Sequence, residues 1–162
     1  MINADPAKTD LVQSEILNDG TIMTRLFDAP RELVFDAWTD PRHLEKWWGP
    51  FGFSITVHSM DVKVGGAWRF DMHHAEHGDF KNRIVYEEVV RPERLVYSHD
   101  GVDDGNAPFH VTVTFEEENG KTRLTMRTRF ASAAIFDEVK KFGAVEGGKQ
   151  TLTRLAEFLA EV

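Results

Sequence analysis

A run of histidines with one carboxylate near the middle of the chain has the residue types of a metal site. The run consists of His73, His74, Glu76 and His77. Imidazole nitrogens and carboxylate oxygens bind zinc and other divalent metals when a hairpin brings several of them together. The run has no strict metal-ligand spacing and ends in Gly78-Asp79, which is typical of a solvated turn. We therefore predict no metal site here, and a zinc titration is the check.

Four side chains with polar ends share the alternation phase of apolar neighbours on the predicted strands. They are His74, Tyr86, Tyr97 and His99. The apolar neighbours in the same phase are Trp68, Phe70, Met72, Ile84 and Leu95. Because alternate residues of a strand share a face, all four polar ends are expected on the buried side of a sheet. They are candidates for orienting a mainly apolar ligand, and each is equally compatible with a core residue bonded to the backbone.

The usual signatures of catalysis are scarce. The chain has no cysteine, which excludes disulfides, thiolate nucleophiles and sulfur-ligated metals. It has neither a G-x-S-x-G motif nor a phosphate-binding glycine loop. The common sequence motifs of acyl transfer and of nucleotide hydrolysis are therefore absent from the sequence. Pairs of histidine and carboxylate occur without diagnostic spacing. We predict no catalytic residue and no cofactor, and whether the protein is an enzyme stays open, with a non-enzymatic role favoured.

The composition describes one acidic domain with many aromatic rings. The chain has 162 residues, of which 41% are hydrophobic, and this length suffices for a core. Its net charge of −8 disfavours nucleic acid and anionic membrane surfaces as partners. No apolar run approaches the roughly 18 residues of a membrane span, and the N-terminus does not resemble a signal peptide. We expect a cytoplasmic protein without a membrane span.

Turn residues and periodicity divide the chain into a flexible N-terminal arm at residues 1–20 and a single domain at 21–162. A first strand at 21–28 is followed by two short helices, which begin at Ala29-Pro30 and Asp40-Pro41. Six further strands with short connections form a predicted antiparallel meander at 53–60, 67–74, 79–90, 94–99, 108–117 and 121–130. Helical spacing then predicts one long amphipathic helix over 133–161, with three glycines as a weak or bent middle.

The residues of these elements resemble a known family. The matching segments are Arg25 to Pro41, Trp47 to Pro50, Val64-Gly65-Gly66, Arg91 to Val96, Gly120 to Thr125 and Glu146 to Ala156. Over residues 21–161 the chain resembles the activator of heat-shock-protein-90 ATPase homologue-like family. That family belongs to the START/SRPBCC superfamily, which is also called birch-pollen-allergen-like or polyketide cyclase-like. The resemblance implies an α+β helix-grip fold, in which a curved antiparallel sheet of about seven strands wraps around the long C-terminal helix and leaves a cavity.

The resemblance leaves several functions open, because members of the superfamily include lipid carriers, hormone receptors, aromatase/cyclases and co-chaperone domains. Our leading prediction is binding of a small hydrophobic or aromatic, lipid-like ligand between the sheet and the C-terminal helix. One alternative is a cyclase/aromatase-type enzyme that uses cavity histidines and tyrosines, and another is a stress-response or co-chaperone-like interaction module. The 20 residues before the first strand are not expected to hold a chaperone-binding domain, which argues against a chaperone partner. A homodimer is compatible with the sequence.

The predicted ligand-binding residues are apolar, aromatic or polar-ended side chains on the inner phase of strands and helix. They are Trp48, Trp68, Phe70, Met72, His74, Ile84, Tyr86, Tyr97, His99, Phe115, Met126, Phe142, Val145 and Gly148. Trp48 is a candidate for the cavity entrance because it lies beside Gly49-Pro50, whereas the resemblance favours a structural role for Trp38, Trp47 and Trp48 alike. Ala144 and Gly148 stand where members of the family often carry Met and Trp, so we expect a larger cavity or a wider mouth.

Overall fold

One antiparallel sheet dominates this protein, whose structure is a computed structural model describing residues 9–102 and 105–162. The eight strands lie in the order β1-β2-β8-β7-β6-β5-β4-β3. Their bounds are Gln13–Ile16 for β1, Gly20–Phe27 for β2, Phe53–Met60 for β3, Ala67–His74 for β4, Gly78–Val90 for β5, Arg94–Asp100 for β6, Phe109–Glu118 for β7 and Lys121–Arg129 for β8. The helices are α1 at Arg31–Thr39, α2 at Pro41–Trp47, α3 at Ala133–Lys141 and α4 at Ala144–Leu159. The predicted α+β helix-grip fold is confirmed.

The two short helices begin where proline and aspartate predict. Pro30 precedes α1 in an extended conformation, and Asp40 precedes α2, whose first residue is Pro41. The Asp40 carboxylate accepts the backbone N–H of Arg42 at 2.9 Å, which satisfies a donor that the first helical turn leaves free. The same arginine lowers the pKa of the Asp40 carboxyl through a side-chain hydrogen bond. Both helices bury apolar faces that include Trp38 and Trp47.

The N-terminal segment differs from the expected arm. Residues 13–16 form β1, which pairs with β2 and raises the sheet from about seven strands to eight. The backbone N–H of Leu17 donates to the carbonyl of Gly20 at 2.8 Å and closes the hairpin, and Val12 is only 2% exposed. All four β1 residues are exposed, so this edge strand shows no alternation of apolar and polar residues that could predict it. Residues 1–8 of the predicted arm lie outside the described residues.

The prediction of one long C-terminal helix is wrong at its middle. Helix α3 begins with Ser132, whose hydroxyl accepts the backbone N–H of Ile135 at 3.1 Å, and it ends at Lys141. Gly143 then adopts a left-handed backbone with φ of 82°, and α4 starts at the next residue. A residue without Cβ takes this conformation at little cost, so the glycine that was expected to bend the helix divides it.

The sheet curves over α4 and leaves the core between them. Irregularities in strand pairing occur between Val57 and Ser59 and between Tyr86 and Glu88, where an extra residue increases the local bend. Helix α4 buries Leu152, Leu155 and Leu159 against this concave face. None of the helices in residues 9–102 and 105–162 has the length and apolar content needed to cross a membrane.

Candidate functional site

A cavity of about 370 Å³ lies between the concave face of the sheet and the start of α4. Its walls come from β2, β3, β4, β6, β7, β8, α1, α3, α4 and the segments that follow α2, β8 and α3. The lining residues are Thr21, Met23, Trp38, Trp48, Gly49, Pro50, Phe53, Met72, Tyr97, His99, Phe109, Val111, Met126, Thr128, Phe130, Phe136, Phe142, Gly143, Ala144, Val145, Gly147, Gly148 and Thr151. Two open depressions of about 710 and 440 Å³ adjoin it and share His99 and Phe109. The cavity is therefore open toward the end of β6.

The cavity wall is apolar and uncharged. Its described lining residues include no Asp, Glu, Lys or Arg. The polar groups are on two residues of β6, Tyr97 and His99, on three threonines and on the indoles of Trp38 and Trp48. One of these threonines, Thr151, already donates its hydroxyl to the carbonyl of Gly147 at 2.9 Å. The Trp38 indole N–H is buried and has no hydrogen-bond partner among the described residues. This composition suits an uncharged molecule, because an unpaired charge loses its hydration on entering such a wall.

The phenol of Tyr97 is a polar group on a largely buried side chain of the wall. Tyr97 is 3% exposed and lines the cavity from β6. Within the described residues its hydroxyl has no hydrogen-bond partner. Burial, with a smaller contribution from Tyr86, raises the pKa of the Tyr97 phenol above its usual range, so the group stays protonated. A protonated, unpaired hydroxyl can donate a hydrogen bond to a bound molecule.

His99 sits beside Tyr97 in the same strand phase and is oriented by a neighbouring amide. The Nδ2 of Asn82 donates to the carbonyl of Phe80 at 3.0 Å, which leaves Asn82 Oδ1 facing His99 Nε2 at 2.8 Å. Burial lowers the pKa of His99 to about 4, while Asp100 acts weakly in the opposite direction. The imidazole is therefore neutral, with the proton on Nε2 and a lone pair on Nδ1.

One end of the cavity is closed by a cluster of aromatic side chains. The Trp48 ring contacts Trp38, Trp47 and Trp68 edge to face, with ring centroids 5.5, 5.4 and 4.9 Å apart. Trp48 is 8% exposed. It therefore forms an inner wall of the cavity rather than its entrance. Large aromatic rings are buried when the sheet covers one side of them and helices cover the other.

Arg154 of α4 holds the segment after α2 in place. Its Nη1 donates to the carbonyls of Trp48, Gly49, Pro50 and Phe53 at 3.0 to 3.3 Å. Gln150, one helical turn earlier, accepts the backbone N–H of Phe51 at 3.1 Å. Burial lowers the pKa of the Arg154 guanidinium. This contact is not predictable from the sequence, because the spacing of an arginine on a helix does not indicate which carbonyls its side chain contacts.

The structure brings part of the predicted site together. Eight predicted residues line the cavity: Trp48, Met72, Tyr97, His99, Met126, Phe142, Val145 and Gly148. Among them Phe142 is 88% exposed and lies at the rim. Ala144 also lines the cavity, and Gly148 faces the sheet, where an added Cβ would lie 2.8 Å from Met23 Cε. Their contribution to the cavity's size stays a prediction.

Six predicted residues do not line the cavity. Five of them belong to the filled core and are at most 3% exposed: Trp68, Phe70, Ile84, Tyr86 and Phe115. The sixth, His74, lies at the end of β4, where its Nδ1 accepts the backbone N–H groups of Glu76 and His77. Strand phase identified which side chains face inward, and position along the strand decides which of these meet empty space.

The histidine run folds back on itself. His73 Nδ1 lies 2.8 Å from Asp79 Oδ1, and its Nε2 lies 2.8 Å from the Thr56 hydroxyl. The rings of His74 and His77 stack at 4.4 Å. Among the residues that the structure describes, no group of three or more histidines and carboxylates is arranged to hold a metal ion. These contacts are those of a hydrogen-bonded hairpin turn.

Several lining residues were missing from the prediction. Phe109, Val111, Thr128 and Phe130 share the inward phase of β7 and β8 with Met126, so alternation alone could have identified them. Gly49 and Pro50 lie in a connection without periodicity, and Phe53 is the first residue of β3. Their place in the wall depends on the Arg154 contacts described above.

Comparison with known proteins extends to both sequence and fold. The Activator of Hsp90 ATPase homolog 1-like protein family matches residues 28–160. A solved protein from Arthrobacter aurescens shares the fold with a TM-score of 0.87 at 24% identity, covering 94% of this chain and 93% of that one. No curated protein matches the sequence.

Two further solved structures are more similar in sequence. A protein from Chromobacterium violaceum is 28% identical with a TM-score of 0.75, covering 87% of this chain and 96% of its own. An AHSA1 protein from Silicibacter pomeroyi is 26% identical with a TM-score of 0.70, covering 86% and 96%. The family match spans most of the domain and the fold agrees with it, so this chain belongs to the Activator of Hsp90 ATPase homolog 1-like family.

Proposed function

We propose that this protein binds a small hydrophobic or aromatic, lipid-like molecule in the cavity between the sheet and α4. The observation that carries the proposal is the cavity of about 370 Å³ with an uncharged, mainly apolar wall. Ligand sites in proteins are commonly concave, apolar and of about this volume, from roughly 300 Å³ upward. The family fold is consistent with ligand binding.

Affinity in such a site comes mainly from apolar burial. Each Å² of apolar surface removed from water contributes about 25 cal/mol before the costs of ordering the ligand. Phe109 and Val111 of β7, Met126 of β8 and Phe130 just after β8 supply apolar surface on adjacent parts of the wall. The rim residue Phe142 adds a ring at the mouth, where it is largely exposed. These side chains suit a molecule with an apolar body.

The cyclase/aromatase alternative receives less support from the site. His74, one of the proposed proton carriers, lies outside the cavity wall. Burial lowers the pKa of His99 to about 4, which makes its imidazole a weak base near neutral pH. No described carboxylate lines the cavity to assist it. Binding without chemistry needs none of these groups to change protonation.

Native mass spectrometry of the gently purified protein, combined with titration of the neutral fluorophore Nile red, tests the proposal. We expect either a co-purified small molecule or tight Nile red binding to the emptied protein. Met126→Trp fills the cavity and should weaken Nile red binding at least about ten-fold. Thr125→Trp is the matched control, because the adjacent residue of β8 points to the opposite face of the sheet.

Two results would contradict the proposal. One is the absence of any bound mass together with no Nile red binding to the wild-type protein. The other is equal weakening by Met126→Trp and Thr125→Trp, which would place the dye on the protein surface. Circular dichroism of both variants checks that neither tryptophan has disrupted the sheet.

A further inference from the structure

We infer that the ligand of this cavity is an uncharged ring compound carrying a hydroxyl group, of the phenol class, and that Tyr97 and His99 hold this hydroxyl. The inference rests on the proposed function and goes further, because it specifies the ligand's polar group. It follows from three features of the wall: its lack of charge, the unpaired phenol of Tyr97 and the fixed tautomer of His99.

The uncharged wall disfavours carboxylates, phosphates and ammonium groups. A ligand ion would leave water without meeting an opposite charge, since no Asp, Glu, Lys or Arg is among the described lining residues. The buried guanidinium of Arg154 does not supply one, because its Nη1 is occupied by four backbone carbonyls. A fatty-acid carboxylate therefore fits this wall less well than a neutral molecule of similar apolar surface.

The Tyr97 phenol is placed to donate a hydrogen bond to an acceptor on the ligand. Buried tyrosine hydroxyls normally have a hydrogen-bond partner, and this one has none within the described residues. Tyr86, its cross-strand neighbour, is also buried but does not line the cavity. Of these two phenols, Tyr97 is thus the one placed to donate to a bound molecule.

His99 requires a donor on the ligand. Asn82 is held by its own bond to the carbonyl of Phe80, so its Oδ1 accepts from His99 Nε2. The second ring nitrogen, Nδ1, then carries a lone pair and has no partner among the described residues. A neutral imidazole in this tautomer accepts a hydrogen bond and cannot attract an anion.

A hydroxyl group carries both the acceptor and the donor that these two residues can pair with. Tyr97 and His99 are two positions apart on β6, so their side chains leave the same face of the strand and both line the cavity. A ligand hydroxyl lodged between them would accept from the phenol and donate to the imidazole, whereas a ketone or ether only accepts. The aromatic rim of Phe109 and Phe130, whose rings lie 5.1 Å apart, provides surface for the ring of the ligand.

A matched series of naphthalenes tests the inference on the wild-type protein. The probes are 2-naphthol, naphthalene and 2-naphthoate, which share one ring system and differ in their polar group. Affinities are measured by displacement of Nile red at about pH 7, where the phenol is neutral and the carboxylate is ionised. We expect 2-naphthol to bind at least about ten-fold more tightly than either of the others.

Variants then locate the hydroxyl of the probe. Tyr97→Phe should bring the affinity of 2-naphthol close to that of naphthalene, measured on the same variant. Tyr86→Phe deletes an equivalent phenol outside the cavity wall and should preserve the advantage of 2-naphthol over naphthalene. Thr128→Val tests the alternative location at the threonines Thr21 and Thr128, which face each other across β2 and β8 and line the cavity. Whatever it does to either affinity alone, the ratio of 2-naphthol to naphthalene affinity should stay well above one.

Each contrary result has a distinct meaning. Equal affinity for the three naphthalenes, or tightest binding of 2-naphthoate, would overturn the inference and leave apolar ligand binding intact. Loss of the 2-naphthol advantage in Thr128→Val but not in Tyr97→Phe would also overturn it. Failure of Nile red and every naphthalene to bind would overturn the proposed function and the inference together. Thermal melting of each variant confirms that the fold is retained.

Discussion

The two ends of the concave sheet face contain the same kinds of side chain and differ in what covers them. At the closed end, the rings of Trp38, Trp47, Trp48, Trp68, Phe70 and Phe115 contact one another with centroids 4.2 to 6.3 Å apart. At the open end, Phe109, Phe130, Phe136 and Phe142 surround empty space. Both ends are aromatic, and only one is filled.

The covering helices account for this difference. Helices α1 and α2 and the leucines of α4 pack on the closed end, and Trp47 donates its indole N–H to the carbonyl of Ala37 at 3.0 Å. At the open end the cover consists of the break at Gly143 and the small residues of the first turns of α4, including Ala144 and Gly148. The aromatic side chains of the sheet are of similar size at both ends. A cavity therefore forms at the open end because the covering helix has only small side chains there and leaves the space above the sheet unfilled.

The largest expected contrast is in stability after ring removal. Phe115→Ala at the closed end should lower the free energy of unfolding by about 3 to 5 kcal/mol, because a buried ring leaves a cavity behind. Phe142→Ala at the open end removes a ring that is 88% exposed and should change it by about 0.5 kcal/mol or less. Urea unfolding of both variants measures the difference. Equal losses would show that the two ends are packed alike.

A second expected effect is on the segment that joins the two ends. Arg154→Met keeps much of the side-chain length but removes the donors to the carbonyls after α2, and should cost about 2 kcal/mol. Amide exchange should accelerate in residues 48–53 and stay slow in the closed-end core. Lys149→Met on the same helix is the control, since Lys149 makes no side-chain hydrogen bond among the described residues. Unchanged exchange in Arg154→Met would contradict the role of this arginine.

Acidification should weaken the open end through His99. Because burial lowers the pKa of His99 to about 4, the unfolded chain binds a proton below about pH 6.5 that the folded protein does not. Stability is therefore complete above about pH 6.5 and falls as the pH drops toward 4, by about 2 kcal/mol at pH 4.5. Urea unfolding of the wild type and of His99→Gln, at about pH 7 and at about pH 4.5, isolates the contribution of His99 to the free energy of unfolding. A difference between the two proteins that does not depend on pH would contradict it.

The smallest expected effect concerns the cover itself. Gly148→Ala places a methyl group 2.8 Å from Met23 Cε, a flexible terminus that must shift within the cavity. Stability should change by no more than about 1 kcal/mol, since better helix propensity offsets the repacking. Nile red affinity should fall a few-fold. Gly147→Ala gains the same propensity and meets Pro50 Cγ at 3.3 Å, so its Nile red affinity should fall less.

Local signals in the sequence predicted most elements of the fold. Asp40-Pro41 specifies a helix start because the carboxylate caps a free N–H and the proline needs none. Alternation along β7 and β8 specifies strands with one buried face. The edge strand β1 was not predicted because it buries no side chain of its own, so it shows no alternation of apolar and polar residues. The helix break at Gly143 was not predicted because glycines inside an apolar periodic pattern are compatible with either a bent helix or two helices.

The sequence by itself determined the family, the inward phase of the strands and the residue types of the site, including the pair Tyr97 and His99. Periodicity and composition are properties of the chain itself, so these predictions hold regardless of how the C-terminal helices pack. Only the tertiary structure decided which inward side chains meet another side chain and which meet empty space. Tyr86 and Tyr97 show this most clearly, because they are cross-strand partners with the same phase and chemistry. One is packed in the core and the other lines the cavity, since the difference lies in what the covering helices place above each of them.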